Sequence, residues 1–457
     1  MNINQLTIKQ ARDGLRKRKF SSFEIVQSCL AEIKKRKKLN AFITVCEKEA
    51  LEKARKADKE IKDGTDLPLF GIPISVKDIY LTKNIRTTAA SKVLDDYIPQ
   101  YSATVIEKLE ENGAIIIGKT NCDAWAHGSS GENSDYGPTR NPWGEEYVPG
   151  GSSSGSAVSV SSSMCLASTG TDTGGSIRLP ASFCNVVGLK PTYGRVSRYG
   201  IVAMASSLDS IGHFTKDVED SALILSITAG KDLNDATMPN KRVDDYEGYL
   251  EKGVKGVRIG IPKEYFLEGL DKRVKEKVEQ KVKKLEELGA KIEIISLPHT
   301  EYATACYYII QPAEVSSNLA RYDGVRYGNN RTYFGDEAKR RTMLGVYVLS
   351  SGYYEAYYKK AMQVRTLIKR DFDGAFKKVD VIITPVSPTL PWKIGEKADP
   401  LSMYLSDIYT VTANLAGIPG LSVPIGFIDS LPVGMQILGP QFSEGKLFQT
   451  GKQIENL

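Results

Sequence analysis

The sequence predicts an α/β fold: one large domain whose mixed, mostly parallel β-sheet is covered by helices on both faces. Three observations predict it. Short apolar runs alternate with amphipathic helical segments along the chain. Neither an internal repeat nor a clear linker interrupts them. The 457 residues are 41% hydrophobic and 25% charged, ordinary globular values that can supply a large core.

The elements follow in order. Residues 1–65 read as a helical segment: Ser21-Ser22-Phe23-Glu24 has capping-box spacing, and Ile25, Val26, Cys29, Leu30 and Ile33 then line one face. Residues 71–200 form a Gly/Ser-rich core. Within it a helical stretch from Thr104 to Glu111 leads into an apolar strand, Ala114 to Ile117. The crowded segment from Asn133 to Tyr199 also carries Val158, Val160, Met164, Leu166, Phe183 and Leu189, so it is folded and buried, not a linker. Residues 255–457 supply the rest of the sheet. Val257 to Ile261 is a strand, and a helix follows with Val274, Val278, Val282, Leu285 and Leu288 on one side, ended by Gly289. Lys291 to Ile295 and Val379 to Val386 are further strands. Strand, helix, strand in this sequence implies crossover units and parallel pairing.

Several function classes are excluded early. The formal charge of +6 is spread over mixed-sign faces such as Lys272 to Glu287, so direct nucleic-acid binding is not indicated. No apolar run approaches the ~18 to 20 residues that span a bilayer, and the N-terminus has no signal-like apolar core. A cytoplasmic protein without a membrane partner is expected. The six cysteines contain no CxxC pair and read as reduced, buried thiols. The three histidines lack HxxxH or HExxH spacing, so no metal site is expected.

Three motifs compete for the chemistry. Gly113 to Thr120 matches GxxxxGK[ST], but its variable residues are Ala-Ile-Ile-Ile, a strand and not a phosphate-binding turn. Gly151-Ser152-Ser153-Ser154-Gly155 is a formal GxSxG that offers Ser153 as an esterase nucleophile. The polar, proline-broken segment before it is no buried strand, and the downstream histidines, His213 and His299, read as structural. The third reading joins Lys77, in the apolar segment 71–78, with the serine run and with Asp172-Thr173-Gly174-Gly175-Ser176-Ile177-Arg178. Desolvation turns a lysine into a useful base, whereas a snorkelling surface lysine is the bland alternative. Ser176, following two glycines at the start of a helix, has N–H groups aimed at one small volume, which suits an oxyanion. This reading is of a serine amidase or esterase with lysine as base.

These segments together resemble the amidase signature family. The likeness extends through Thr87-Thr88, Gly118-Lys119-Thr120-Asn121, Gly128-Ser129-Ser130, Glu132-Asn133-Ser134 and Gly188 to Gly194. Within the family the chain is similar to the glutaminase-subunit branch of the tRNA-dependent amidotransferases. Its markers are Glu314 to Gly324, Lys339-Arg340-Arg341, Ser350-Ser351-Gly352-Tyr353-Tyr354 and Asn414 to Pro419. There are departures: Ser154 stands at a usual glycine, and Cys122 to Gly128 replaces a usual Met-Asp-Glu-Phe-Ala-Met-Gly, placing His127 near the expected pocket. His213 takes the place of a proline.

The resemblance implies a Ser-cisSer-Lys triad in which Ser176 is the nucleophile, Ser152 relays the proton and Lys77 is the base. It implies an oxyanion hole from the N–H groups of Thr173, Gly174, Gly175 and Ser176. Glutamine would be held by Gly128, Ser129, Tyr307, Arg341 for the carboxylate and Asp407 for the ammonium, with Tyr308 and Arg340 as the neighbouring registers. It further implies a heterotrimer with B and C subunits. ATP, Mg²⁺ and the tRNA would belong to the B subunit, and this chain would need no cofactor. The ammonia would convert Glu-tRNA(Gln), Asp-tRNA(Asn) or both. The alternatives are a stand-alone amidase acting on a small or aryl amide, and a scaffold that retains only the fold.

Overall fold

Eleven strands hydrogen-bond into one sheet in the computed structural model, which describes residues 2–266, 269–325, 328–397 and 399–457. They are β1 (Phe42–Val45), β2 (Pro73–Lys77), β3 (Ile115–Thr120), β4 (Ala167–Asp172), β5 (Val187–Lys190) and β6 (Ser210–Thr215), then β7 (Arg258–Pro262), β8 (Lys291–Ile295), β9 (Val381–Pro385), β10 (Gly420–Ile428) and β11 (Leu431–Leu438). Their spatial order is β1-β3-β2-β4-β6-β5-β10-β11-β9-β7-β8. The first six strands of the chain are therefore neighbours, as are the last five. One seam joins the two sets, where β10 pairs with β5 through Gly420, Leu421 and Ser422.

The sheet is mixed, but it is not mostly parallel as the sequence suggests. β2–β3, β2–β4, β7–β8 and β7–β9 are parallel, and these are the strands that crossover helices connect. The other six pairings are antiparallel. β6 returns between β4 and β5, while β10 and β11 form a hairpin that turns at Asp429 and Ser430, both with left-handed φ (49° and 67°). β6 escaped the sequence reading because Ser210-Ile211-Gly212-His213 carries no apolar run.

Local chemistry explains the cover. In the helix Ser22–Lys35 the Ser21 hydroxyl accepts from the Glu24 N–H, and the Glu24 carboxylate accepts from the Ser21 N–H at 2.7 Å. Its apolar face, Ile25 to Ile33, is buried. In the helix Lys272–Glu287, Val274, Val278 and Leu285 are buried, whereas Leu288 lies past the last turn and is exposed. Gly113 (φ +90°) ends the helix Thr104–Glu111, and the GxxxxGK[ST] segment becomes the buried strand β3. The Lys119 ammonium inside it is bonded to the Tyr80 carbonyl (2.7 Å) and the Thr87 hydroxyl (2.6 Å), so it is structural. Residues 151–160 are buried throughout, as their apolar content requires. Among the described residues, no helix is long and apolar enough to cross a membrane.

Candidate active site

β2 and β4 run parallel, so both deliver their C-terminal ends to one edge of the sheet. Lys77 is the last residue of β2 and is fully buried. Its backbone N–H is pinned by the Thr169 hydroxyl of β4 at 3.0 Å. Its Nζ lies 2.9 Å from Ser152 Oγ, 2.9 Å from Ser153 Oγ and 2.8 Å from Thr171 Oγ1. Burial lowers the amine's pKa to about 8, against the pull of Cys122, Asp123, Asp172 and Asp209, which favour the charged form. An ammonium satisfies all three hydroxyls as donor. The neutral amine has two N–H groups and a lone pair, so one hydroxyl must then donate to it.

The glycine before Ser152 is there because nothing larger fits. A Cβ on Gly151 would sit 2.0 Å from an Asp123 carboxylate oxygen and 2.8 Å from the Gly131 nitrogen. The Gly151–Ser152 peptide bond is cis. The Gly151 N–H donates to the Ser129 carbonyl (2.8 Å) and the Asp123 N–H to the Ser152 carbonyl (3.1 Å), which fixes the backbone on both sides.

Asp172, at the end of β4, shapes the nucleophile loop. Its carboxylate accepts from the Gly175 N–H (2.8 Å), the Ile177 N–H (3.2 Å) and the Arg178 side chain through Nε and Nη2, both at 3.0 Å. Burial alone would raise this carboxyl, but the Arg178 guanidinium outweighs it and holds the pKa at about 2. Gly175 adopts φ +140°, and a Cβ there would meet Thr410 Oγ1 at 2.3 Å. The result presents Ser176, 9% exposed, with a hydroxyl that makes no hydrogen bond among the described residues. The Ser153 N–H donates to the Ser176 carbonyl at 3.2 Å, tying the two serine segments together.

Of the four N–H groups expected to face an oxyanion, those of Thr173, Gly174 and Ser176 have no acceptor among the described residues. The Gly175 N–H differs: it is committed to Asp172, which is what folds the loop. Among the described residues the loop therefore offers three uncommitted donors, not four.

A second group of candidates surrounds the same loop. Tyr307 and Tyr308 lie on the helix Ala303–Leu319, and Arg341 lies on the helix Asp336–Leu349. Tyr307 packs on the nucleophile loop so closely that a Cβ on Gly174 would be 2.7 Å from its Oη. Tyr308 donates to Asp407 Oδ2 at 2.9 Å, and Ser129 donates to the same oxygen at 2.8 Å. Burial raises the Asp407 pKa to about 6, opposed by those two bonds and by Arg341. Gly128 precedes Ser129 at φ +153°, where a Cβ would strike the Asp123 carboxylate at 2.5 Å.

Arg341 is 3% exposed. Its Nε donates to Glu337 Oε1 (2.7 Å) and its Nη1 to Gln311 Oε1 (2.9 Å), and the guanidinium lies 5.1 Å from the Tyr308 ring and 5.2 Å from the Tyr404 ring. Arg340, one residue away, is exposed and pairs with Glu337 from outside. The two tyrosine registers separate as well: Tyr307 touches the nucleophile loop and Tyr308 touches Asp407. Gln311 and Glu337 carry no signal that singles them out in the sequence, and Ser153 stands out there only as the elbow candidate. Thr169 and Thr171 do alternate along β4 on the Lys77 side, a faint signal for the amine's extra partners.

The nucleophile-elbow alternative finds no histidine partner for Ser153 among the described residues. His213 Nε2 is bonded to Ser221 Oγ at 2.8 Å and His299 Nδ1 lies 3.0 Å from Asp371, while the Ser153 hydroxyl serves Lys77 and the Thr171 carbonyl. No group of three or more His, Cys, Asp or Glu side chains able to hold a metal occurs among the described residues.

Comparison with known proteins gives the chain a family. The amidase family model matches residues 24–448, and the chain belongs to that family. Within it, the chain is 54% identical to the A subunit of glutamyl-tRNA(Gln) amidotransferase from Syntrophus aciditrophicus, across 100% of this chain and 98% of that one. The crystal structure of the corresponding A subunit of glutamyl-tRNA(Gln) amidotransferase from Thermotoga maritima superposes with a TM-score of 0.84 at 44% identity, covering 98% of this chain and 94% of that one. The peptide amidase of Stenotrophomonas maltophilia superposes at 0.86 with 30% identity, over 98% and 96% of the two chains.

Proposed function

We propose that this chain is the glutaminase subunit of a glutamine-dependent tRNA amidotransferase. The observation that carries glutamine over a neutral amide is the pairing of a buried guanidinium, Arg341, with a buried carboxylate, Asp407, on either side of Tyr308. A free α-amino acid needs one fixed cation and one fixed anion, and an aryl or peptide amide needs neither.

In this reading the side-chain amide carbon of glutamine rests against Ser176. Neutral Lys77 takes the Ser152 proton as Ser152 takes that of Ser176, and the Ser176 oxygen bonds to the carbon. The carbonyl oxygen becomes an anion facing the N–H groups of Thr173, Gly174 and Ser176. Collapse breaks the C–N bond, and the proton returns through Ser152 to the departing nitrogen, which leaves as ammonia. A water then repeats the attack and releases glutamate. Ser153 and Thr171 keep the amine oriented throughout. Ser129 and Tyr308 hold Asp407 for the ammonium of glutamine, and Tyr307 closes over the loop.

The ammonia passes to a B subunit that carries ATP, Mg²⁺ and the aminoacyl-tRNA, and a C subunit lies at the interface, in the cytoplasm. Co-expression with candidate B and C partners followed by affinity capture tests the assembly: a three-subunit complex that forms Gln-tRNA(Gln) from Glu-tRNA(Gln), glutamine and ATP is the expected product. A chain that captures no partner and hydrolyses neutral amides as fast as glutamine overturns the reading in favour of a stand-alone amidase.

A further inference from the structure

The interior beside Arg341 holds polar atoms that nothing among the described residues satisfies. His127 is 1% exposed, and neither ring nitrogen has a hydrogen-bond partner. Gln311 is fully buried, and its Nε2 is unpartnered too. Buried polar groups are almost always bonded, so unpaired ones gathered beside a buried guanidinium point to a ligand.

Both side chains feel the same cation, Gln311 through a direct hydrogen bond. Gln311 Oε1 accepts from Arg341 Nη1 at 2.9 Å, which fixes the amide's orientation, because the flipped amide would set its NH₂ against the guanidinium. His127 is held neutral first by its burial and then by the positive field of Arg341, and two residues further on Ser129 bonds Asp407, the carboxylate that Tyr308 also holds. Its backbone cannot swing away. Trp125 and Ala126 before it adopt left-handed φ of 58° and 63°, the His127 N–H donates to the Ala124 carbonyl (2.9 Å), and Asn133 Nδ2 holds the His127 carbonyl (3.1 Å). Arg341 itself keeps Nη2 without an acceptor among the described residues, since Nε and Nη1 are taken.

Three unsatisfied donors remain around one guanidinium: Arg341 Nη2, the Gln311 NH₂ and the single N–H of the neutral imidazole. An anion with two oxygens satisfies such a set, and water or a neutral group does so less well. We propose that His127 and Gln311 complete a carboxylate site with Arg341, binding the α-carboxylate of glutamine and setting the preference for an α-amino acid over a simple amide. This rests on the glutaminase reading. The polar groups near Arg341 also include Glu337, Tyr308, Tyr404, Tyr307 and Asp407; Glu337 accepts from Arg341, Tyr308 donates to Asp407, and Tyr404 donates to Glu337 at 3.0 Å.

The probes are glutamine and 4-aminobutanamide, which is glutamine without its carboxylate, assayed by ammonia release with the wild type and with H127M, H127Q and Q311A. A hydrogen bond to a charged group carries about ten- to a hundredfold in affinity. H127M and Q311A are expected to raise KM for glutamine by about that factor, leave kcat within about threefold, and leave 4-aminobutanamide hydrolysis unchanged. H127Q, which keeps an N–H donor, is expected to recover most of the loss. A wild type that does not prefer glutamine to 4-aminobutanamide overturns the glutaminase reading and this inference with it. A wild type that does prefer glutamine, with variants that depress both substrates equally or neither, overturns this inference alone. If H127M does not fold, Q311A on a separate helix carries the same comparison.

Discussion

The pH profile of the wild type, compared with that of K77R, tests the assignment of Lys77 as the base. Only the neutral amine can accept a proton, and burial places its pKa at about 8, against 10.5 for an unperturbed lysine. At pH 7 about one-tenth of the molecules then hold a neutral Lys77, and at pH 9 about nine-tenths do, so kcat/KM should rise about tenfold between them. The logarithm should climb with unit slope below pH 8 and level off above it. An unshifted lysine would instead still be climbing at pH 9.5. K77R keeps a buried cation and donors for Ser152, Ser153 and Thr171 but cannot lose its proton, so its activity should fall by about a hundredfold or more at every pH, with no plateau near 8. The assay is ammonia release from glutamine between pH 6 and 10, with folding checked by near-ultraviolet circular dichroism. A flat wild-type profile, or a K77R variant within tenfold of wild type, would show that Lys77 merely positions hydroxyls.

Ser176→Ala should abolish glutamine hydrolysis with the thermal midpoint unchanged, because its hydroxyl bonds to nothing among the described residues; activity retained within tenfold sinks the nucleophile assignment. Arg341→Ala should lower kcat/KM for glutamine by roughly 30- to 4,000-fold, as expected for ~2 to 5 kcal/mol from a lost charged contact, and spare a neutral amide. An equal fall for both substrates would mark Arg341 as structural. Arg178→Ala leaves Asp172 charged and uncompensated in the core, which costs ~3 to 5 kcal/mol; a shift below ~1 kcal/mol in urea unfolding contradicts that role. Asp172 also has a pH signature. Its native pKa of about 2 lies below the ordinary 3.8, so its contribution is complete above pH 3.8 and fades as pH falls toward 2, which acid unfolding of wild type against Asp172→Asn would detect.

Much of the architecture was readable because local patterns carried it. The capping box at Ser21, the apolar runs of β3, β7, β8 and β9, and the glycine at 113 each obey short-range rules. Arg341 could even have been chosen over Arg340 by period, since Ala338, Arg341, Gly345 and Val348 form the buried stripe of their helix. The strand directions were not readable, because β6 turns back antiparallel between β4 and β5, and the β10–β11 hairpin inserts between β5 and β9, pairings that no crossover rule implies. At the site, Lys77, Ser152 and Ser176 stand in segments whose composition is odd for a surface. Ser153 and Thr171, by contrast, are ordinary residues whose importance arises only when β2, β4 and the serine turn converge on one amine. The commitment of the Gly175 N–H to Asp172 is likewise a product of tertiary folding, invisible in a run of glycines.

The single seam between the two strand sets bears on how the chain is made. All six strands of the first set leave the ribosome before β7 is synthesised, and they can pair with one another at once. Their edge at β5 cannot be covered until Gly420 appears, about 230 residues after Lys190. At roughly 5 to 20 residues per second that interval is about ten to fifty seconds. Throughout it a nascent polypeptide displays an open strand edge, the kind of template on which chains aggregate. Slow translation downstream of β6, or truncation before residue 420, would prolong that exposure and make the nascent chain a client for chaperones.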